Sequence, residues 1–184
     1  MMVNKNPEIG IKPVVEGVTA AGFVAAGIAC GVRYEGRRDL GLLLSEEVGG
    51  TAAAVFTTNV VQAAPLLVTR EAVEAGGVRA VVVNSGIANA ATGKRGLEDA
   101  YRMQAFAAAE LGLEPKEVAV ASTGVIGEYL PMDRIRTGIK DATASLSEDG
   151  GSAFAEAILT TDTRTKEAAT QVRIGGETAT VGGV

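Results

Sequence analysis

The chain contains no histidine. That absence removes His-based metal centres and the Ser-His and Cys-His nucleophile pairs from these residues. An enzyme built on this sequence therefore takes its base from a carboxylate, a lysine, a terminal amine or another chain. Tryptophan is also absent and aromatics make up only 4% of the residues, so the core must be built from Val, Ile, Leu and Ala. Cysteine occurs once, as Cys30, which excludes an internal disulfide framework and fits a cytoplasmic, reducing setting. Within Ile28-Ala29-Cys30-Gly31-Val32 this cysteine reads as a small buried hydrophobe rather than a nucleophile. No stretch approaches the roughly 18 consecutive apolar residues of a membrane span. The first ten residues lack the apolar core of a secretory signal. Acidic side chains outnumber basic ones, 22 to 17, and no basic cluster appears, so nucleic acid is not an expected partner. Neither the G-x-G-x-x-G fingerprint nor a phosphate loop is present, so no nucleotide cofactor is supported, and no metal is expected.

What is present is enough for one substantial domain: 184 residues, 47% of them apolar. Residues 1 to about 20 read as an extended arm with little periodicity. Gly22 to Val32 reads as a strand or hairpin of small residues, and 39–45 and 50–57 as two further strands with a polar turn between them. A short strand over 66–69 runs into a helix over 70–75, which Gly76-Gly77 ends. A buried strand follows over 79–83. The spacing predicts a helix over 96–111, with Leu97, Tyr101, Ala105 and Ala108 on one face and Gly112 at its end. A strand over 118–121 stops at Ser122-Thr123-Gly124. Pro131 then opens a helix in which Met132, Ile135, Ile139, Ala142 and Leu146 form the apolar face and Asp133, Arg134, Arg136 and Lys140 face water. A short helix near 153–159 and a hairpin of 168–174 with 178–181 complete the chain. Strands and helices interleave without strict βαβ alternation, so the expected class is α+β, with mixed sheets and packed helices.

Three polar groups of residues stand out. In Ser122-Thr123-Gly124, a side-chain hydroxyl beside a glycine at a strand end can point an O–H and a backbone N–H at one spot, the geometry that holds a developing oxyanion. The same residues also suit a plain strand-to-helix turn. Asn84 to Gly93 places small amides and hydroxyls beyond a buried strand, as a site loop or as an Asx-rich connection that stabilises its own backbone. Thr160-Thr161-Asp162-Thr163, followed by Arg164 and Lys166, can bind the polar end of a small substrate or cap a helix end.

The segments AAGFVAAGIACGVR, RDLGLLLSE, AAVFTTNVVQAAPLLVTR, RAVVVNSGIANAATG, VAVASTGVIGEYLPMDRI, AILTTDTRTK and TVGGV occur in order nearly end to end. Together they resemble the α subunit of the bacterial ornithine acetyltransferase family, also called glutamate N-acetyltransferase, of arginine biosynthesis. The resemblance implies a self-cleaving N-terminal-nucleophile type related to the DmpA/ornithine acetyltransferase fold. It implies that residues 1–184 form a single α-chain domain that co-folds with a separate β chain, whose N-terminal threonine is the nucleophile and lies beyond Val184. Such a threonine can use its own α-amino group as base, which accounts for the missing histidine. Thr123 and Gly124 match the family's oxyanion pair and Thr160 a substrate-binding position. Ile87, Ala91 and Thr165 depart from residues usual in the family; the first leaves Asn89 without an assigned role. The implied partners are the β chain, N-acetylornithine, glutamate and ornithine, in an α2β2 heterotetramer. No cofactor is implied, with acetyl-CoA as a further donor if the enzyme is bifunctional. A self-cleaving amidohydrolase or aminopeptidase subunit and a non-catalytic assembly subunit are the alternatives.

Overall fold

The computed structural model describes residues 11–14, 17–174 and 176–184. Most of the arm expected over residues 1 to about 20 lies outside the described residues, as does Gly175 of the hairpin turn. The elements run β1 (Ile11–Val14), β2 (Phe23–Ile28), β3 (Leu40–Ser45), α1 (Ala64–Ala75), β4 (Ala80–Ile87), α2 (Gly93–Leu111), β5 (Val118–Val125), α3 (Met132–Ala144), α4 (Gly151–Ala157), β6 (Ala168–Ile174) and β7 (Glu177–Gly183). They form a three-stranded sheet in the order β1-β6-β7 and a four-stranded sheet in the order β2-β3-β4-β5. In the larger sheet β2, β3 and β4 are antiparallel neighbours, while β4 and β5 run parallel across the α2 crossover. The class is α+β with mixed sheets, as expected.

The helix spacing was legible where it was regular. In α3, Met132, Ile135, Ile139 and Ala142 are buried, and Asp133, Arg134, Arg136 and Lys140 are exposed. Helix α2 exists, but its buried face is Gly96, Ala100, Met103, Ala107 and Ala108, while Tyr101 and Ala105 face outward. The small residues let α2 lie close to its neighbours, and Tyr101 sends its hydroxyl to Glu71 of α1 at 2.8 Å. The hairpin of β6 and β7 forms in the expected place.

Other expectations fail for identifiable reasons. Residues 50–57 form no strand. Both edges of β3 are already taken, by β2 and β4, so the alternating pattern finds no partner beside it. Val55 of this segment, and Val60 and Val61 just beyond it, are 80–99% exposed. Residues 66–69 are helix, not strand. Pro65 in the first turn of α1 presets φ, and Ala64, Val68 and Ala72 recur every four residues on its buried side. Strand β5 does not stop at Ala121, nor β4 at Val83. Each continues because the other pairs with it residue for residue, from Ala80↔Val118 to Ile87↔Val125. At Gly124, φ is +134°, and a Cβ would lie 2.2 Å from the carbonyl carbon of Gly86, so only glycine fits.

Strand alternation divides the larger sheet into two faces. Leu40, Leu42, Val82, Val118 and Val120 point to one face, where Val68, Met103, Ile135 and Ile139 of α1, α2 and α3 complete the core. The second face is covered by α4 over β2 and β3. Helix α4 lies so close that a Cβ at Gly27 would meet the Ala153 carbonyl oxygen at 1.8 Å. Over β4 and β5 the second face carries Val81, Val83, Ala121 and Thr123, all half-buried.

Candidate functional site

The C-terminal ends of β4 and β5 lie side by side, with Ser85 opposite Thr123 and Gly86 opposite Gly124. Beside them opens a cavity of about 260 Å³. Ser85, Gly86, Gly124 and Val125 form one wall, Tyr34, Arg37 and Asp39 another, and Leu159, Thr160 and Thr161 a third. The structure thus brings Gly124 and Thr160 to one place, although 34 residues lie between the end of β5 and Thr160 in the chain.

Thr123 does not line this cavity. It is half-buried, on the sheet face that Ser85 shares, and its hydroxyl has no hydrogen-bond partner among the described residues. The direction of the neighbouring amide follows from Val120. Its N–H donates to the Thr69 hydroxyl at 2.8 Å, and its carbonyl accepts from that hydroxyl at 2.6 Å, both on the edge of β5 away from β4. Alternation places the Gly124 N–H, four residues on, along that same outer edge. A side-chain O–H and a backbone N–H on adjacent residues are therefore both uncommitted within the described chain. That is the donor pair an oxyanion hole requires.

The loop between β2 and β3 is tied down from several sides. The Asp39 carboxylate accepts from the amides of Cys30 at 2.8 Å and Val32 at 2.5 Å, and its backbone carbonyl accepts from the Ser85 amide at 2.9 Å. Arg37 donates to the carbonyls of Leu159 at 2.6 Å and Thr160 at 3.3 Å, so it sets the backbone that carries Thr160. Arg33 pairs with Glu128 beyond the end of β5, and Arg134 donates to the Gly31 carbonyl at 2.6 Å. Burial pushes the Cys30 thiol up to about 12, with the Asp39 carboxylate adding to the effect, so the cysteine stays protonated and inert.

The Asn84 to Gly93 segment divides between its two readings. Asn84 is wholly buried, donates to the Ile87 carbonyl at 2.9 Å and accepts from Ser122 at 2.6 Å. Asn89 donates to the Gly96 carbonyl and accepts from Thr92, each at 2.8 Å, which ties down the start of α2. These residues stabilise their own connection, and Ser85 and Gly86 alone of the segment reach the cavity. In the third group Thr160 and Thr161 line the cavity, while Asp162 pairs with Lys166 at the surface, 2.7 Å apart. Arg37, Asp39 and Tyr34 were missed by sequence reasoning. Arg37 and the Asp39 backbone find their partners, Leu159, Thr160 and Ser85, far along the chain, and the only signal was that Arg37 and Asp39 lie just before a strand. Among the described residues no group of three or more His, Cys, Asp or Glu could hold a metal ion, and no helix is long and apolar enough to cross a membrane.

Residues 24–184 match the ArgJ family. The arginine biosynthesis bifunctional protein ArgJ of Symbiobacterium thermophilum is 53% identical over 169 residues, which cover 90% of this chain and 42% of that protein. The crystal structure of the arginine biosynthesis bifunctional protein argJ from Bacillus halodurans is similar at a TM-score of 0.87 and 49% identity, over 96% of this chain and 93% of that one. The structure of ornithine acetyltransferase complexed with ornithine from Mycobacterium tuberculosis matches at a TM-score of 0.83 and 36% identity, over 95% and 96%. The chain belongs to the ArgJ family. It spans about two fifths of the length of the curated relatives it matches, 42% and 40% for the first two.

Proposed function

We propose that this chain is the α part of an acetyltransferase that moves the acetyl group of N-acetylornithine to glutamate. The observation that carries the reading is the meeting of Gly124 and Thr160 at one cavity, beside the uncommitted Thr123 hydroxyl. The likeness to an ornithine acetyltransferase complexed with ornithine supports the substrate class. The nucleophile is a threonine at the N-terminus of a β part, within the length by which the relatives exceed this chain. Its α-amino group, with a reference pKa of about 7.7–8.0, removes the hydroxyl proton. The threonine oxygen attacks the acetyl carbonyl, and the Thr123 O–H and Gly124 N–H hold the oxygen that gains charge. The carbon–nitrogen bond then breaks and ornithine leaves with the proton, while the acetyl group remains as a threonine ester. The amine of glutamate attacks that ester, and the threonine recovers its proton. Thr160 holds the amino-acid part of each substrate in turn.

The half-buried Val81, Val83 and Ala121 on the uncovered part of the sheet, and the exposed Val55, Val60 and Val61, support a β chain that folds against this one. An α2β2 assembly, a self-cleaving N-terminal-nucleophile fold and a cytoplasmic location belong to the same proposal. No cofactor is required. Acetyl-CoA is a second donor if the protein shares the bifunctional character that its relatives' names carry. The test is to supply the whole protein with N-acetylornithine labelled in the acetyl group, together with glutamate. Label in N-acetylglutamate supports the proposal. Label in free acetate alone overturns it in favour of an amidohydrolase, and no release of label favours an assembly subunit.

A further inference from the structure

The Ser85 side chain is not used by the reaction as derived. Ser85 is only 2% exposed, yet it lines the cavity, and its hydroxyl has no hydrogen-bond partner among the described residues. The side-chain oxygen keeps accessible surface on the cavity rather than being sealed off, so a ligand held there can accept a hydrogen bond from it. The remaining lining defines that partner's chemistry. Both carboxylate oxygens of Asp39 are occupied by backbone amides. The uncommitted polar groups are the hydroxyls of Ser85, Thr160 and Thr161, beside the guanidinium of Arg37. A small cavity lined by donors and one cation, with its single carboxylate already engaged, suits an anionic oxygen.

We propose that Ser85 is a substrate-binding residue that donates, together with Thr160, to the α-carboxylate shared by the acetyl donor and the acceptor amino acid. The proposal rests on the acetyl-transfer reading and adds to it the part of the substrate that this chain recognises. Ser85 sits opposite Thr123 in the β4–β5 pairing, so a carboxylate at Ser85 and an acetyl group at Thr123 belong to one substrate lying across the two strand ends.

The test uses Ser85→Ala in the whole protein. The expected result is a KM raised about ten- to a hundredfold for both N-acetylornithine and glutamate, the loss of one hydrogen bond to a charged carboxylate, with kcat unchanged. The thermal midpoint does not fall, because the alanine removes an unpartnered hydroxyl. With N-acetyl-1,4-diaminobutane as donor, which lacks the carboxylate, the substitution leaves kcat/KM unchanged. Ser85→Cys, of similar size but a weaker donor, gives the same pattern if the alanine variant does not fold. An unchanged KM for the two amino acids overturns the proposal, as does a lowered midpoint with normal kinetics. An equal loss with the carboxylate-free donor also overturns it. Thr123→Ala is measured alongside: a loss of transfer there with normal Ser85→Ala kinetics defeats the Ser85 proposal alone. A wild-type protein that transfers no acetyl group defeats both.

Discussion

The two faces of the four-stranded sheet are built on different plans. On one, Leu40, Leu42, Val82, Val118 and Val120 meet three helices in a continuous aliphatic core. On the other, one seven-residue helix rests on glycines of β2 and β3, and the β4–β5 half stays partly open. The candidate site lies at the edge of that second face. Filling a face with large side chains buries area and contributes stability at about 25 cal/mol per Å² of apolar surface. It also leaves no room for a substrate. Small residues on the other face give up some of that burial and let backbone amides, hydroxyls and a cavity come within reach of one another. The first face holds the strands in place; the second presents their ends.

Substitutions on the two faces should separate stability from activity, and the expected effects fall in a clear order. Leu42→Ala, in the middle of the filled face, should cost about 2–5 kcal/mol of stability, because a wholly buried leucine leaves a cavity. Urea unfolding of the whole protein measures it, and a loss below about 1 kcal/mol would break the contrast. On the open face Thr123→Ala should do the opposite. Transfer falls about 10²–10³-fold while the thermal midpoint holds, since the hydroxyl serves the transition state and has no partner in the described chain. A folded variant that turns over normally would remove Thr123 from the oxyanion hole. Thr160→Val should raise KM for both substrates about ten- to a hundredfold, the loss of a hydrogen bond to a charged carboxylate, which steady-state kinetics with each substrate varied will show. The smallest effect concerns Cys30, which packs at the margin of the filled face, against Gly138 of α3. Its folded value near 12 stands above the ordinary 9.0, so its protonated form adds stability that is intact below pH 9 and is lost as pH rises toward 12. Cys30→Ala should therefore flatten the alkaline decline of the unfolding midpoint, and at pH 7–8 lower it only by the small packing contribution of the lost sulfur.

Legibility followed the range of the interactions involved. Helix α3 was readable because its apolar spacing and its opening proline are local. In α2 the same reasoning placed the helix and two of its four face residues, Leu97 and Ala108, but Tyr101 and Ala105 turn outward, since Tyr101 counts as apolar while its hydroxyl reaches Glu71 at the surface. Residues 50–57 carry the composition of a strand, and whether they become one depends on a free edge that β3 does not offer. At the site, pattern marked Thr123, Gly124 and Thr160 as candidates but left a turn or a helix cap equally open, and resemblance to a family gave them roles. Ser85 lay inside a segment already marked for its small polar residues. Nothing local distinguished it from Asn84 or Asn89, whose side chains turn back on their own backbone.

By itself the sequence determined the class of the molecule. Without histidine or tryptophan, and with aliphatic runs and turn residues, it specified an aliphatic α+β core and excluded histidine chemistry. Periodicity and glycine placement act within a few residues, and so did these conclusions. Only the tertiary structure decided where β4 and β5 end, because each is extended by the other in register. It alone brought Arg37 to the carbonyls of Leu159 and Thr160, more than a hundred positions away in the chain. A cavity is a property of surfaces that meet, and no single segment of the sequence contains both.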